Sequence, residues 1–192
     1  MFTRRNFLLG GLAALLVPQS HEALAHHTKK FKKTFKLNPE FAPQTVSYST
    51  KYDPGTIVVD PRNHFLYLIE TRGRARRYGV GVGRAGLAFR GSATIKRKAE
   101  WPRWTPTKNM IRRQPRKYAK YAKGVPGGIN NPLGARALYL FKGGRDTFYR
   151  IHGTTQPSSI GRSVSNGCIR MINDHVIDLY NRVPLGTRVV VL

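Results

Sequence analysis

The stretch HGTTQPSSIGRSVSNGCIRM, residues 152–171, carries the single cysteine of the chain, Cys168. It stands between Gly167 and Ile169, after the small polar residues Ser165 and Asn166. His152 opens the stretch, and Arg170 follows the cysteine by two positions. A thiol attacks as thiolate, and an imidazole within reach takes its proton and lowers its pKa to roughly 3.5–7.5. Gly167 frees the backbone to aim successive N–H groups at one oxygen. Each donor of such an oxyanion hole is worth about 2.7–4 kcal/mol in the transition state. Arg170 has two readings: a bidentate clamp for a substrate carboxylate, or an ion pair with Asp174 or Asp178. Asp146 is the acid closest to His152 in sequence, and it is not adjacent, so a backbone carbonyl such as that of Gly153 is a candidate to orient the ring. The rival reading of Cys168 is a buried, inert thiol.

The rest of the chain bounds these readings. It has 192 residues, 40% of them apolar, enough for one domain with a core. Lys and Arg number 34 against 9 Asp and Glu, for a net charge of +25. Such a chain seeks polyanions or anionic surfaces. The sequence contains no nucleic-acid-binding signature, and no nucleic-acid partner is expected. One cysteine makes neither an internal disulfide nor a multi-cysteine zinc site, and the histidine spacings suggest no metal; no cofactor is expected.

The first residues read as an address. Arg4-Arg5 precede the apolar run Phe7 to Val17, and Ala23-Leu24-Ala25 offers a small-residue cleavage site. The adjacent arginines resemble a twin-arginine (Tat) signal. The apolar run is too short for a membrane span, which needs about 20 residues, so none is expected in the mature chain. Cleavage after Ala25 would remove Arg4, Arg5 and Glu22 and leave a charge of +24. The expected divisions are a signal peptide over 1–25, a basic and loosely packed arm over 26–54, and a catalytic domain over 55–192.

Within that domain the pattern is mainly β. Residues 56–60 and 64–70 read as a hairpin about Pro61-Arg62-Asn63, with a third strand around 75–82. Gly79, Gly81 and Gly83 mark places where backbone or ligand comes close, because no helix follows to make a nucleotide fingerprint. His64 reads as a strand surface residue, and His175 as a helix-face residue. Residues 92–115 read as a strand followed by a Pro-bounded loop with Trp101 and Trp104. Trp104 is a candidate groove wall. A short helical piece is expected over 118–122, and strands over 137–141, 148–153 and 187–192. Asn173 is expected to cap a helix from Asp174 to Arg182, whose apolar face is Val176, Ile177, Leu179, Tyr180 and Val183.

IHGTTQPSSIGRSVSNGCIRM (151–171) resembles the signature of the L,D-transpeptidase catalytic domain, the YkuD-like family, over about twenty positions. The similarity extends to VVDPRNHFLYLIE, NPLGARALYL and VPLGTRVVVL. The resemblance implies a β-sandwich-like fold with one or two short helices. It also implies a periplasmic enzyme acting on peptidoglycan stem peptides. Cys168 would attack the bond between diaminopimelate and the terminal D-alanine, with His152 as base. Gly167 and Cys168 would supply oxyanion N–H groups, with Asn166 and Gly153 as further backbone positions. Arg170, Ser165 and Trp104 would bind substrate. The thioester would pass to an amine and form a 3→3 cross-link. Many members carry histidine where Asn166 stands. Water as acceptor would make the same site a carboxypeptidase or endopeptidase, and an outer-membrane protein amine would make it an attachment enzyme. A basic wall-binding protein without catalysis is the remaining alternative.

Overall fold

A computed structural model describes residues 35–84 and 89–192. The signal-peptide reading and the first part of the basic arm lie outside the described residues. Eleven strands lie among the described residues. They are β1 (Gln44–Tyr48), β2 (Ile57–Asp60), β3 (Phe65–Thr71), β4 (Gly73–Gly79), β5 (Val82–Gly83), β6 (Gly91–Glu100), β7 (Arg136–Lys142), β8 (Arg145–His152), β9 (Ser163–Ser165), β10 (Ile169–Arg170) and β11 (Arg188–Val191). The helices α1 (Lys108–Arg113) and α2 (Pro115–Tyr118) precede β7, and α3 (Asn173–Arg182) precedes β11.

Nine strands form one sheet in the order β1-β4-β3-β2-β11-β6-β7-β8-β10, and β5 pairs with β9 in a small second sheet. The fold is mainly β with short helices, as expected, with three α-helices among the described residues rather than one or two. The expected hairpin is β2–β3, with Val58 opposite Tyr67. Alternation puts Ile57, Val59, Leu66 and Leu68 into the main core. Val58, Ile69 and Ala75 fill a smaller cluster with Tyr48, Tyr52 and Tyr67. Each fully buried aliphatic side chain contributes about 1.5–3 kcal/mol. β11 lies between β2, to which it runs parallel, and β6, to which it runs antiparallel.

Four details differ from the sequence reading. Residues 44–48, read as part of a loosely packed arm, form the edge strand β1, paired antiparallel with β4 from Gln44 to Tyr48. The supposed loop before residue 115 contains α1, because Thr107 Oγ1 accepts from the Met110 amide at 3.1 Å and caps it. His64 sits in the β2–β3 turn with φ 60°, and its Nε2 lies 3.0 Å from Ser163 Oγ. Asn173 is the first residue of α3 rather than its cap, and its side chain makes no capping bond. Its Oδ1 accepts from the Ala135 amide at 3.0 Å, and its Nδ2 donates to the Thr154 carbonyl at 3.1 Å. The buried polar groups around it have first claim on that amide. Among the described residues, no helix is long and apolar enough to cross a membrane.

Candidate active site

The site lies at the sheet edge where β10 runs parallel to β8, with Arg170 beside His152 and Ile169 beside Ile151. Cys168 stands one residue before β10. Period-two alternation therefore puts Arg150 and His152 on one face of β8, and Cys168 and Arg170 on the same face of their segment. β10 is clasped on its other side by Gly81, whose amide donates to the Arg170 carbonyl at 2.9 Å while the Arg170 amide donates back at 2.7 Å. A Cβ on Gly81 would stand 2.4 Å from the Ser159 carbonyl oxygen, so the close approach read from the glycines is real there.

His152 is buried, and its Nδ1 lies 2.5 Å from the Gly153 carbonyl oxygen. A carbonyl only accepts, so Nδ1 carries the hydrogen and Nε2 is the basic nitrogen. The backbone orienter anticipated for this ring is thus in place. Asp146 is not that orienter, because its carboxylate grips Arg150 bidentately at 2.7 and 2.8 Å. Burial, then the charge of Arg170, lowers the His152 pKa to about 4, so the ring is neutral at pH 7.

Cys168 is half-buried, and its Sγ donates to the Phe148 carbonyl at 3.8 Å. Among the described residues, no hydrogen bond joins it to His152. Burial raises the thiol pKa, and the pull of Arg150 and Arg170 in the other direction is smaller. The thiolate expected from sequence is therefore not the resting form: desolvation outweighs the cations. Alkylation of Cys168 by iodoacetamide is expected to climb by about tenfold per pH unit from neutrality into the alkaline range. A rate already flat from pH 6 upward would contradict this.

The turn before the cysteine uses its own polar groups. Gly167 has φ 125°, a conformation that favours glycine. Its amide donates to Ser165 Oγ at 3.1 Å, and that hydroxyl donates to the Cys168 carbonyl at 2.6 Å. Ser165 is buried and braces the loop rather than facing a substrate. The Gly153 amide donates to the Arg136 carbonyl at 3.1 Å. The two glycine amides expected at an oxyanion are thus engaged inside the protein. Asn166 donates from Nδ2 to the Tyr118 hydroxyl at 3.0 Å. Trp104 packs against the same segment, its ring 6.3 Å from Tyr118 and 5.9 Å from Tyr121. Arg170 pairs with neither Asp174 nor Asp178. Its Nη1 donates to Gln156 Oε1 at 3.1 Å, and no carboxylate among the described residues holds it. Asp178 is held by Arg76, Tyr78 and Arg182.

The sequence model of the L,D-transpeptidase catalytic domain (YkuD) matches residues 54–191. The chain belongs to this family. The L,D-transpeptidase domain is 40% identical over 117 residues to "Probable L,D-transpeptidase ErfK/SrfK" of Escherichia coli K12, covering 60% of this chain and 36% of that relative. The chain therefore spans about a third of that relative's length. A crystal structure from Brucella melitensis, described as a "Probable carnitine operon oxidoreductase caia", is 60% identical. The alignment covers 81% of this chain and 96% of that one, with a TM-score of 0.56. Its oxidoreductase description is that protein's own and stands at odds with the transpeptidase family of this chain. An Enterococcus faecium L,D-transpeptidase C442S mutant shares the fold at 16% identity, with a TM-score of 0.52 over 71% of this chain and 49% of that one.

The transpeptidase domain also places residues that the sequence reading missed. Phe148 supplies the carbonyl facing the thiol, and Arg150, stacked on Tyr139 at 4.3 Å, sits beside it. Arg150 was accessible in principle, since it alternates with His152 along one strand. The bonds of Tyr118 to Asn166, and of Asn173 to Ala135 and Thr154, span long sequence separations, so these roles left no local signal.

Proposed function

We propose that this domain is a peptidoglycan L,D-transpeptidase with Cys168 as nucleophile and His152 as general base. The observation that carries the reading is the edge pairing of β8 and β10, which puts His152, Cys168 and Arg170 on one face. In the proposed reaction the thiol leaves the Phe148 carbonyl and gives its proton to His152 Nε2. The sulfur bonds to the diaminopimelate carbonyl carbon of a tetrapeptide stem. The bond from that carbon to the D-alanine nitrogen breaks, and the imidazolium returns the proton to the departing amine. An acceptor amine then attacks the thioester, forms an amide and frees the thiol. Arg170, half-buried and without a carboxylate of its own, binds a carboxylate of the donor stem. The Cys168 amide is the proposed oxyanion donor, with the Gly167 amide joining only if it leaves Ser165. The Tat-like start supports action in the periplasm.

The test uses a disaccharide tetrapeptide containing diaminopimelate, read by mass spectrometry. A dimer lighter than two monomers by one D-alanine establishes 3→3 cross-linking. A tripeptide alone moves the function to carboxypeptidase, and a protein–muropeptide conjugate formed with an outer-membrane protein moves it to attachment.

A further inference from the structure

From Trp101 to Arg145 the chain has no Asp or Glu, while eight Lys or Arg residues fall between Arg103 and Lys123. All eight are exposed. The segment folds as α1, α2 and a short 3-10 turn at Ala119–Tyr121. Elsewhere, four arginines of the sheet and of α3 do have carboxylate partners, in Arg76–Asp178, Arg136–Glu100, Arg150–Asp146 and Arg182–Asp178. Among the described residues, no carboxylate pairs with any cation of this segment. Lys108 and Arg112 even repel one another at i,i+4 spacing on α1. Lys117 and Lys120 have only weak contacts, lying over the Tyr118 and Tyr121 rings at 5.1 Å each. Self-repulsion of this kind destabilises the free protein and is relieved by an external polyanion.

Position identifies the polyanion. The segment is fastened at both ends: Trp104 exchanges backbone bonds with Val125, and Arg103 donates to the Lys123 carbonyl. It is tied to the cysteine loop by the bond from Asn166 to the Tyr118 hydroxyl. A partner resting on it lies next to the approach to Cys168. A membrane or nucleic acid there would compete with the substrate for that approach, whereas a polymeric substrate bearing carboxylates would be delivered to it.

We propose that residues 103–123 form a cationic cap that docks the intact peptidoglycan polymer through its stem carboxylates. It would serve as a wall-binding surface built into the catalytic domain. The choice of polymer rests on the function proposed above, but the docking does not require turnover.

The test is co-sedimentation of the Cys168→Ala protein with isolated sacculi. The comparison protein carries Arg112→Gln, Arg113→Gln, Arg116→Gln and Lys117→Gln together. Binding is expected to weaken by about tenfold or more at low salt, and the difference should vanish at high salt. With Cys168 intact, turnover of a soluble disaccharide tetrapeptide is expected to stay within about twofold, because a single stem engages few of these cations whereas the polymer engages many at once. Sacculi whose carboxylates have been amidated are expected to lose affinity for the protein carrying the unaltered cap, which tests the idea without any surface variant. Unchanged sacculus binding in the fourfold variant, or full binding to amidated sacculi, would overturn the proposal. So would loss of binding to phosphatidylglycerol vesicles with sacculus binding kept. Absence of any Cys168-dependent product would sink the transpeptidase reading while leaving the docking result standing.

Discussion

Cys168→Ala is expected to abolish product, and His152→Gln to slow acylation by about 10²–10⁴-fold. The two variants test different things. Alanine removes the atom that forms the thioester. Glutamine keeps the volume near the Gly153 carbonyl but removes the basic Nε2, so alkylation of Cys168 at high pH should survive. Single-turnover acylation followed by mass spectrometry separates the two outcomes. A His152→Gln enzyme that acylates at the normal rate would remove His152 from the chemistry. The same variant carries a stability signature. The unfolded chain takes up a proton on His152 near pH 6.5, while the folded chain resists until about pH 4. Below pH 6.5 the unfolded state therefore gains protons that the native state refuses, and stability falls until about pH 4. The gap corresponds to on the order of 3 kcal/mol. Urea melts at pH 7 and pH 4.5 should show this loss in the parent protein and a smaller one in His152→Gln.

The second large effect is expected at Gly153. A Cβ there would stand 2.1 Å from Asn173 Oδ1 and 3.0 Å from the Ala135 nitrogen. Gly153→Ala must displace the Asn173 amide, which breaks its bonds to Ala135 and Thr154 in a buried site. The expected cost is about 2–4 kcal/mol. The displaced segment also carries the carbonyl that fixes the His152 ring, so activity should fall in the fraction that still folds. Adding Asn173→Ala removes the colliding oxygen, and the double variant should lose less than the sum of the single losses. Simple additivity of the two losses in chemical melts would show that the collision is not the cause.

The sequence marks the site better than the way the site is held. Cys168, His152 and Arg170 stand out because few other residues in a small-residue turn could do chemistry. The Gly153 carbonyl was nameable because no acid neighbours His152. The hairpin, α3 and the closing strand follow from short-range periodicity and turn residues. What stayed hidden depends on long-range register. The placing of Arg150 beside Cys168 needs the parallel pairing of β8 with β10. Ser165 reads as a ligand-facing hydroxyl until the turn closes on it. Asn173 reads as a helix cap until Ala135 and Thr154, brought in from elsewhere, compete for its amide. The thiol pKa was misjudged for a related reason: sequence shows nearby cations but not how far burial will outweigh them.

The position of β11 has a consequence for assembly. It is the last of the described strands, yet it joins β1-β4-β3-β2 to β6-β7-β8-β10, and the described strands offer no other join in that sheet. Either half can pair its own neighbours early, since most of those contacts are local. The sheet becomes continuous only after Val189–Val191 settle beside Ile57–Val59 and Gly91–Ala93. Such distant pairing is slow, because loop closure must come before the contacts that reward it. Until residues 188–191 are free to pair, the half-sheet that carries the candidate site is fastened to the other only through contacts outside that ladder, such as the backbone pair of Gly81 with Arg170 and the bonds of Asp178 to Arg76 and Tyr78.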